Sequence, residues 1–248
     1  CLASSSAHFS PKGLFCLSVS GRAYRLIEDQ LSWTEAQSYC RAQYLDLATV
    51  DDQEQLNLLI NVTQRNPPLG HVWTGLYDDM DSWRWSLQKE GYYDGGLDQF
   101  RLWDVGFPTN YKNVFRCGVT LNNGKWKNDH CDSTRPFICY SESASPKFKY
   151  YRTLLTWRDA QSYCRQHHTD LVSIRNQVEN DQVFALMSGP SVYTHIGLYR
   201  DGWKWSDGSP VSFTKFNDRT GVPCVALFGT GMETKDCATP CPFVCNGE

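Results

Sequence analysis

The sequence predicts an α+β fold built twice in one chain of 248 residues, and three observations point to it. Blocks of near-identical residues recur in the same order along the chain. Capping patterns in each copy open two helices, and aromatic, glycine-rich stretches follow them. Eleven cysteines, an unusual number for a cytosolic protein, fall mostly toward the ends of the two copies.

The repeat is the strongest signal. Ala36-Gln37-Ser38-Tyr39-Cys40-Arg41 recurs as Ala160-Gln161-Ser162-Tyr163-Cys164-Arg165, each preceded by a tryptophan, Trp33 and Trp157. Asp46-Leu47 returns as Asp170-Leu171, Gly75-Leu76-Tyr77 as Gly197-Leu198-Tyr199, and Trp83-Arg84-Trp85-Ser86 as Trp203-Lys204-Trp205-Ser206. Both copies close on Pro-Phe-x-Cys, at Pro136 to Cys139 and Pro242 to Cys245. The chain is a duplication.

Ser32-x-x-Glu35 and Thr156-x-x-Asp159 are capping-box patterns in which a hydroxyl satisfies an orphan N–H at the helix start. Each predicts a helix whose apolar face carries the tryptophan, an alanine and the cysteine. Asp52-x-x-Gln55 and Asn176-x-x-Glu179 predict the second helix of each copy, the first leading into Leu56, Leu59 and Ile60. The short alternating runs behind them read as strands and loops, so helices precede sheet in each copy.

Ser141-Glu142-Ser143-Ala144-Ser145-Pro146 is small, polar and ended by proline, and reads as a linker. The segments expected are therefore an irregular, signal-peptide-like stretch 1–20, a first domain 21–140, a linker 141–146 and a second domain 147–248 with a shortened loop.

Composition narrows the function. A net charge of −3 without a basic run argues against nucleic acid as a partner. No apolar run approaches the length of about 18 residues that a transmembrane helix needs, so no such segment is expected in this chain. Cysteine usage points to an oxidising compartment, secreted or extracellular. Asn61-Val62-Thr63 is an N-glycosylation sequon at Asn61. The absence of any C-x-x-C pair disfavours zinc. No G-x-S-x-G or H-E-x-x-H is present, His167 and His168 are adjacent and point apart, and His130 reads as a surface residue, so no enzyme is expected.

Across 21–248 the chain resembles the C-type lectin-like family. The resemblance rests on Trp-x-x-Ala-x-x-x-Cys at Trp33 and Trp157, on Trp73-Thr74-Gly75-Leu76 and His195-Ile196-Gly197-Leu198, and on the cysteine spacing. It implies two looped α+β domains, each with two helices, small antiparallel sheets and long loops, and disulfides Cys40–Cys139, Cys117–Cys131, Cys164–Cys245 and Cys224–Cys237. Cys1, Cys16 and Cys241 are left over; Cys16 and Cys241 could pair, or an unpaired cysteine could link a dimer. The resemblance also implies an extracellular recognition protein, a glycan-binding lectin of innate-immunity type or, alternatively, a calcium-independent module that binds protein.

Sugar-binding members of that family hold calcium through oxygen ligands in the long loop and the next strand. Here the frame remains and most ligands are replaced. Phe107-Pro108-Thr109 stands in the loop motif, Phe115 in a glutamate position, and Lys127 puts a cation where a cation would bind. Asn128 and Asp129 come into register only after a slip of one residue, which needs a bulge between Trp126 and Cys131. In the second copy the stretch from Trp205 to Cys224 is shorter, and Met232-Glu233-Thr234 leaves Glu233 as the only carboxylate, read as a solvated strand residue. Calcium candidates thus reduce to Asn128, Asp129 and Glu233, and no cofactor is expected with assurance. Of the first loop's aromatic residues, Tyr92, Tyr93, Phe100, Trp103, Phe107 and Tyr111, most are expected to pack the loop on its own domain. Phe107, Pro108, Thr109, Asn110, Tyr111 and Lys112 are the expected ligand-contacting segment, with Asn128 and Asp129 beside it.

Overall fold

A computed structural model of the chain describes residues 16–19, 22–64, 69–109, 115–187, 193–213, 216–217 and 222–247. The described part of the chain begins with β1 (Cys16–Val19), β2 (Arg22–Leu31), α1 (Trp33–Gln43), β3 (Asp46–Leu47), α2 (Gln53–Thr63) and β4 (Val72–Asp78). It continues through β5 (Arg84–Trp85), β6 (Phe115–Leu121), β7 (Trp126–His130), β8 (Arg135–Tyr140), β9 (Phe148–Leu155), α3 (Trp157–His167), β10 (Asp170–Leu171), α4 (Gln177–Leu186) and β11 (Tyr193–Tyr199). It closes with β12 (Trp203–Trp205), β13 (Phe216–Asn217), β14 (Cys224–Phe228), β15 (Gly231–Lys235) and β16 (Cys241–Gly247). The fold is α+β.

The helix starts follow their caps. Ser32 accepts from the Glu35 N–H while the Glu35 carboxylate accepts from the Ser32 N–H, a complete capping box. Thr156, Asp52 and Asn176 cap α3, α2 and α4 by accepting from the N–H three residues on. On α1 and α3 the tryptophan, alanine and cysteine are buried, as the spacing predicts.

The compact units are not the two contiguous segments expected from the repeat. One unit combines the chain up to Asp79 with the chain from Trp203 onward; the other is Met80–Gly202. Each therefore joins the first half of one repeat to the second half of the other. The first unit holds a sheet in the order β1-β2-β16-β4-β14-β15-β13, with β12 on β4 and β3 on β16. The second holds β10-β8-β11-β6-β7, with β5 on β11 and β9 on β8.

Two of the implied disulfides are corrected accordingly. Cys40 is bonded to Cys245 and Cys139 to Cys164, in place of Cys40–Cys139 and Cys164–Cys245. The inner bridges are Cys117–Cys131 and Cys224–Cys237, the pairs the resemblance implies. The repeat could not separate the two pairings because the joints are chemically equivalent. In the first unit Gln37 and Arg41 of α1 reach Ser206, whose hydroxyl donates to Asp46. In the second, Gln161 and Arg165 of α3 reach Ser86, whose hydroxyl donates to Asp170. The Trp33 N–H donates to the Cys237 carbonyl and the Trp157 N–H to the Cys131 carbonyl, both at 2.9 Å. Either first half offers the same groups to either second half, so local chemistry does not choose between partners.

Residues 141–146 are likewise not a linker between units. They connect β8 to β9 inside the second unit, closed by a bond from the Ser141 N–H to the Lys147 carbonyl at 2.7 Å. Of the stretch 1–20, residues 16–19 form strand β1 on β2, and the others lie outside the described residues.

Cores form under each sheet from residues the repeat pattern marks. Trp73, Leu47, Phe243 and the Cys40–Cys245 bridge fill part of the first unit; Trp157, Leu171, Phe137 and the Cys139–Cys164 bridge take the equivalent place in the second. The repeated glycine has a packing reason: a Cβ on Gly197 would sit 2.9 Å from the Val172 carbonyl, and one on Gly75 3.1 Å from that of Ala48.

Cys241 is buried and unbonded. It cannot pair with Cys16: β1 sets Cys16 opposite Arg25, Arg25 lies opposite Cys245, and Cys241 lies opposite Leu31. That offset along the strands is about 20 Å, far beyond disulfide reach. Among the described residues no helix is long and apolar enough to cross a membrane.

Candidate functional site

The long loop of the second unit leaves β5 and returns at β6, and its first part is anchored by aromatic packing. Trp126 of β7 is fully buried, and Trp85, Phe100 and Trp103 meet it with ring centroids 5.6, 5.7 and 6.3 Å away. The Trp126 indole N–H donates to Asn180 at 2.8 Å, and its backbone N–H and C=O bond the loop at Leu102 and Asp104. Tyr93 donates to the Leu87 carbonyl and Ser173, and burial pushes its phenol up to about 12. Tyr92 lies under the Arg175 guanidinium at 4.2 Å, and burial raises its phenol pKa. Tyr92, Tyr93, Phe100 and Trp103 therefore hold the loop to its own unit. Trp103 is only half-buried, while Tyr92 is the most buried of these four.

Beyond Asp104 the loop rises into solvent. Val105 is 94% exposed, Gly106 and Pro108 are exposed, and Phe107 and Thr109 are half-buried. The Phe107 N–H donates to the Asp104 carbonyl at 3.0 Å, and the Phe107–Pro108 peptide is cis. Asn110, Tyr111 and Lys112 lie outside the described residues.

Asn128 holds this segment from below. Its amide accepts from the Thr109 N–H at 2.8 Å and donates to the Thr109 carbonyl at 2.6 Å. Asp129 accepts from the His130 N–H at 3.0 Å and pairs with Arg135 at 2.9 Å. Lys127 places its ammonium 3.4 Å from the Tyr193 ring centroid, with the Arg135 guanidinium 5.0 Å from the same ring. Arg135 and Tyr193 carry no loop motif, and sequence reasoning missed both.

These contacts bear on calcium. Successive strand side chains face opposite sides, so Asn128 reaches the loop while Asp129 reaches Arg135, and the two do not converge. The irregularity in the β6–β7 pairing falls between Phe115 and Cys117, on the partner strand, not between Trp126 and Cys131. The Arg135 cation paired with Asp129 and an Asn128 amide bonded both ways to Thr109 do not fit a calcium site.

Glu233, expected to be solvated, has a side chain only 12% exposed and bonds His71 Nε2 at 2.7 Å, with His71 stacked on Phe228. Asn61 is exposed near the end of α2; the Thr63 hydroxyl of its sequon donates to the Leu59 and Ile60 carbonyls. His168 bonds Ser141 and Tyr151 while His167 packs on Tyr163, so the adjacent histidines do diverge.

Comparison with known proteins finds relatives along both repeats. Rat (Rattus norvegicus) lithostathine is 32% identical over 124 residues, covering 48% of this chain and 72% of the relative. Mouse (Mus musculus) C-type mannose receptor 2 is 24% identical over 231 residues, covering 78% of this chain but only 15% of the receptor. A crystal structure of human lithostathine aligns over 97% of this chain and 91% of its own, at 13% identity and a TM-score of 0.43. The family model for the lectin C-type domain matches twice, at residues 29–141 and 153–247, and the chain belongs to that family.

Proposed function

We propose that the protein is an extracellular recognition protein carrying two C-type lectin modules in tandem, which binds its ligand without calcium through the 105–112 segment. The carrying observation is the pair of hydrogen bonds between Asn128 and Thr109: the amide that would be offered to a cation instead fixes the backbone of the exposed segment. The Asp129–Arg135 pair supports the same reading. Four disulfides suit an oxidising, extracellular location. Family membership and the glycan-receptor names among relatives favour carbohydrate as the ligand. The apolar tip at Val105 favours a protein partner as the second reading.

Calorimetric titration of calcium into chelator-stripped protein tests the first claim, and no heat is expected. Stoichiometric binding with a rise in thermal stability would overturn it. A glycan panel probed in chelator then separates the readings: retained glycan binding supports a calcium-free lectin, and its loss on Thr109→Lys or Val105→Asp assigns the segment. An empty panel favours the protein partner.

A further inference from the structure

The two units carry the same helix–strand pair and finish it differently. In the first, β1 pairs with β2 from Cys16 opposite Arg25 to Val19 opposite Arg22, and runs beside α2. Leu58 and Val62 of α2 are buried, at 7% and 1% exposure. In the second, β9 pairs with β8 along one edge, and among the described residues no strand pairs with its other edge.

Aligned on Trp33 and Trp157, Tyr24 corresponds to Phe148, Leu58 to Gln182 and Val62 to Leu186. At that place the second unit has a groove of about 740 Å³ between the start of β9 and α4. Its lining includes buried Tyr140 and Phe148, half-buried Leu186, and exposed Lys147, Val178 and Gln182. Among the described residues this backbone edge is unpaired. The Lys147 carbonyl is taken by Ser141 on the β8 side, so strand alternation turns the N–H and C=O of Phe148 the other way. Exposed Lys147 and Lys149 make this edge basic, and the nearby acids Glu179 and Glu142 are paired with Arg175 and Lys89.

We propose that the groove between β9 and α4 binds an extended, acidic peptide segment of a partner protein, added to β9 as β1 is added to β2. The segment hydrogen-bonds the outward edge at Phe148, lays an apolar side chain against Leu186 and Val178, and sets a carboxylate near Lys147 and Lys149. Pro146 offers no N–H, so the added strand is short. This site is separate from the 105–112 segment and stands whether or not the calcium-free reading holds.

The probe is a labelled peptide with the sequence of residues 14–19, Ser in place of Cys16, and a glutamate at each end, titrated into the full chain by fluorescence anisotropy. Saturable binding near about 10 μM is expected. Val178→Arg and Lys147→Glu, both at exposed positions that leave the fold intact, are each expected to weaken it about tenfold, as is lysine in place of the peptide's glutamates. No saturation by about 1 mM overturns the proposal. So does binding that survives both substitutions, because the peptide is then displacing β1 in the first unit. A dimer of the unmodified chain that Val178→Arg abolishes would make the groove an interface between copies and also overturn it.

Discussion

Cys40 is bonded to Cys245 across a sequence separation of 205 residues, the longest covalent closure among the described residues. Together with Cys139–Cys164 it ties the first repeat to the second. Proteolysis within the exposed stretch 142–147 is therefore expected to leave both fragments as one band on a non-reducing gel and two after reduction. Two separate bands without reductant would show that each repeat closes on itself.

The joint inside each unit rests on a buried carboxylate. Asp170 is 2% exposed and accepts from Ser86 at 2.7 Å, the Leu171 N–H at 2.7 Å and Arg165 at 3.1 Å. Asp170→Ala strips three donors of their acceptor and is expected to cost about 2–4 kcal/mol, and Ser86→Ala about 1 kcal/mol. Urea midpoints measure both. Asp46→Ala is expected to behave alike in the first unit, where Asp46 receives Ser206 and Arg41.

His195 sits in β11 at 0% exposure with Nε2 2.9 Å from the Ser133 carbonyl, and burial pushes its pKa down to about 4. The unfolded chain, with a histidine near about 6.5, takes up the proton first. Stability from this group is thus complete above about pH 6.5 and is lost as pH falls toward about 4, by an amount of order 3 kcal/mol. His195→Gln is expected to flatten that part of the stability–pH curve, measured by denaturant unfolding. An unchanged slope would place the titration elsewhere.

Cys241 is 4% exposed, and burial raises its thiol pKa, so little thiolate is available. It is expected to resist iodoacetamide in the native protein at about pH 7.5 and to react once unfolded. A disulfide-linked dimer through Cys241 does not suit a buried thiol, and Cys241→Ala is expected to leave the oligomeric state on non-reducing gels unchanged.

Much of this was legible in the sequence because the signals are local. Ser32, Asp52, Thr156 and Asn176 cap the helices they announce, since a cap needs only an N–H three residues away. The short inner bridges lie within one half-repeat. The loop's degeneration was visible at Phe107 and Lys127. What held Asn128 and Asp129 was not, because Thr109, Arg135 and Tyr193 are brought to them only by strand pairing and loop return.

The sequence by itself determined the α+β class, the helix starts and the buried faces, all set by neighbours within a few residues, while the two inner bridges came from the family resemblance. Only the tertiary structure decided which half meets which. Ser86 and Ser206, Asp46 and Asp170, and the four outer cysteines carry the same chemistry in each repeat, so no local term separates one pairing from the other.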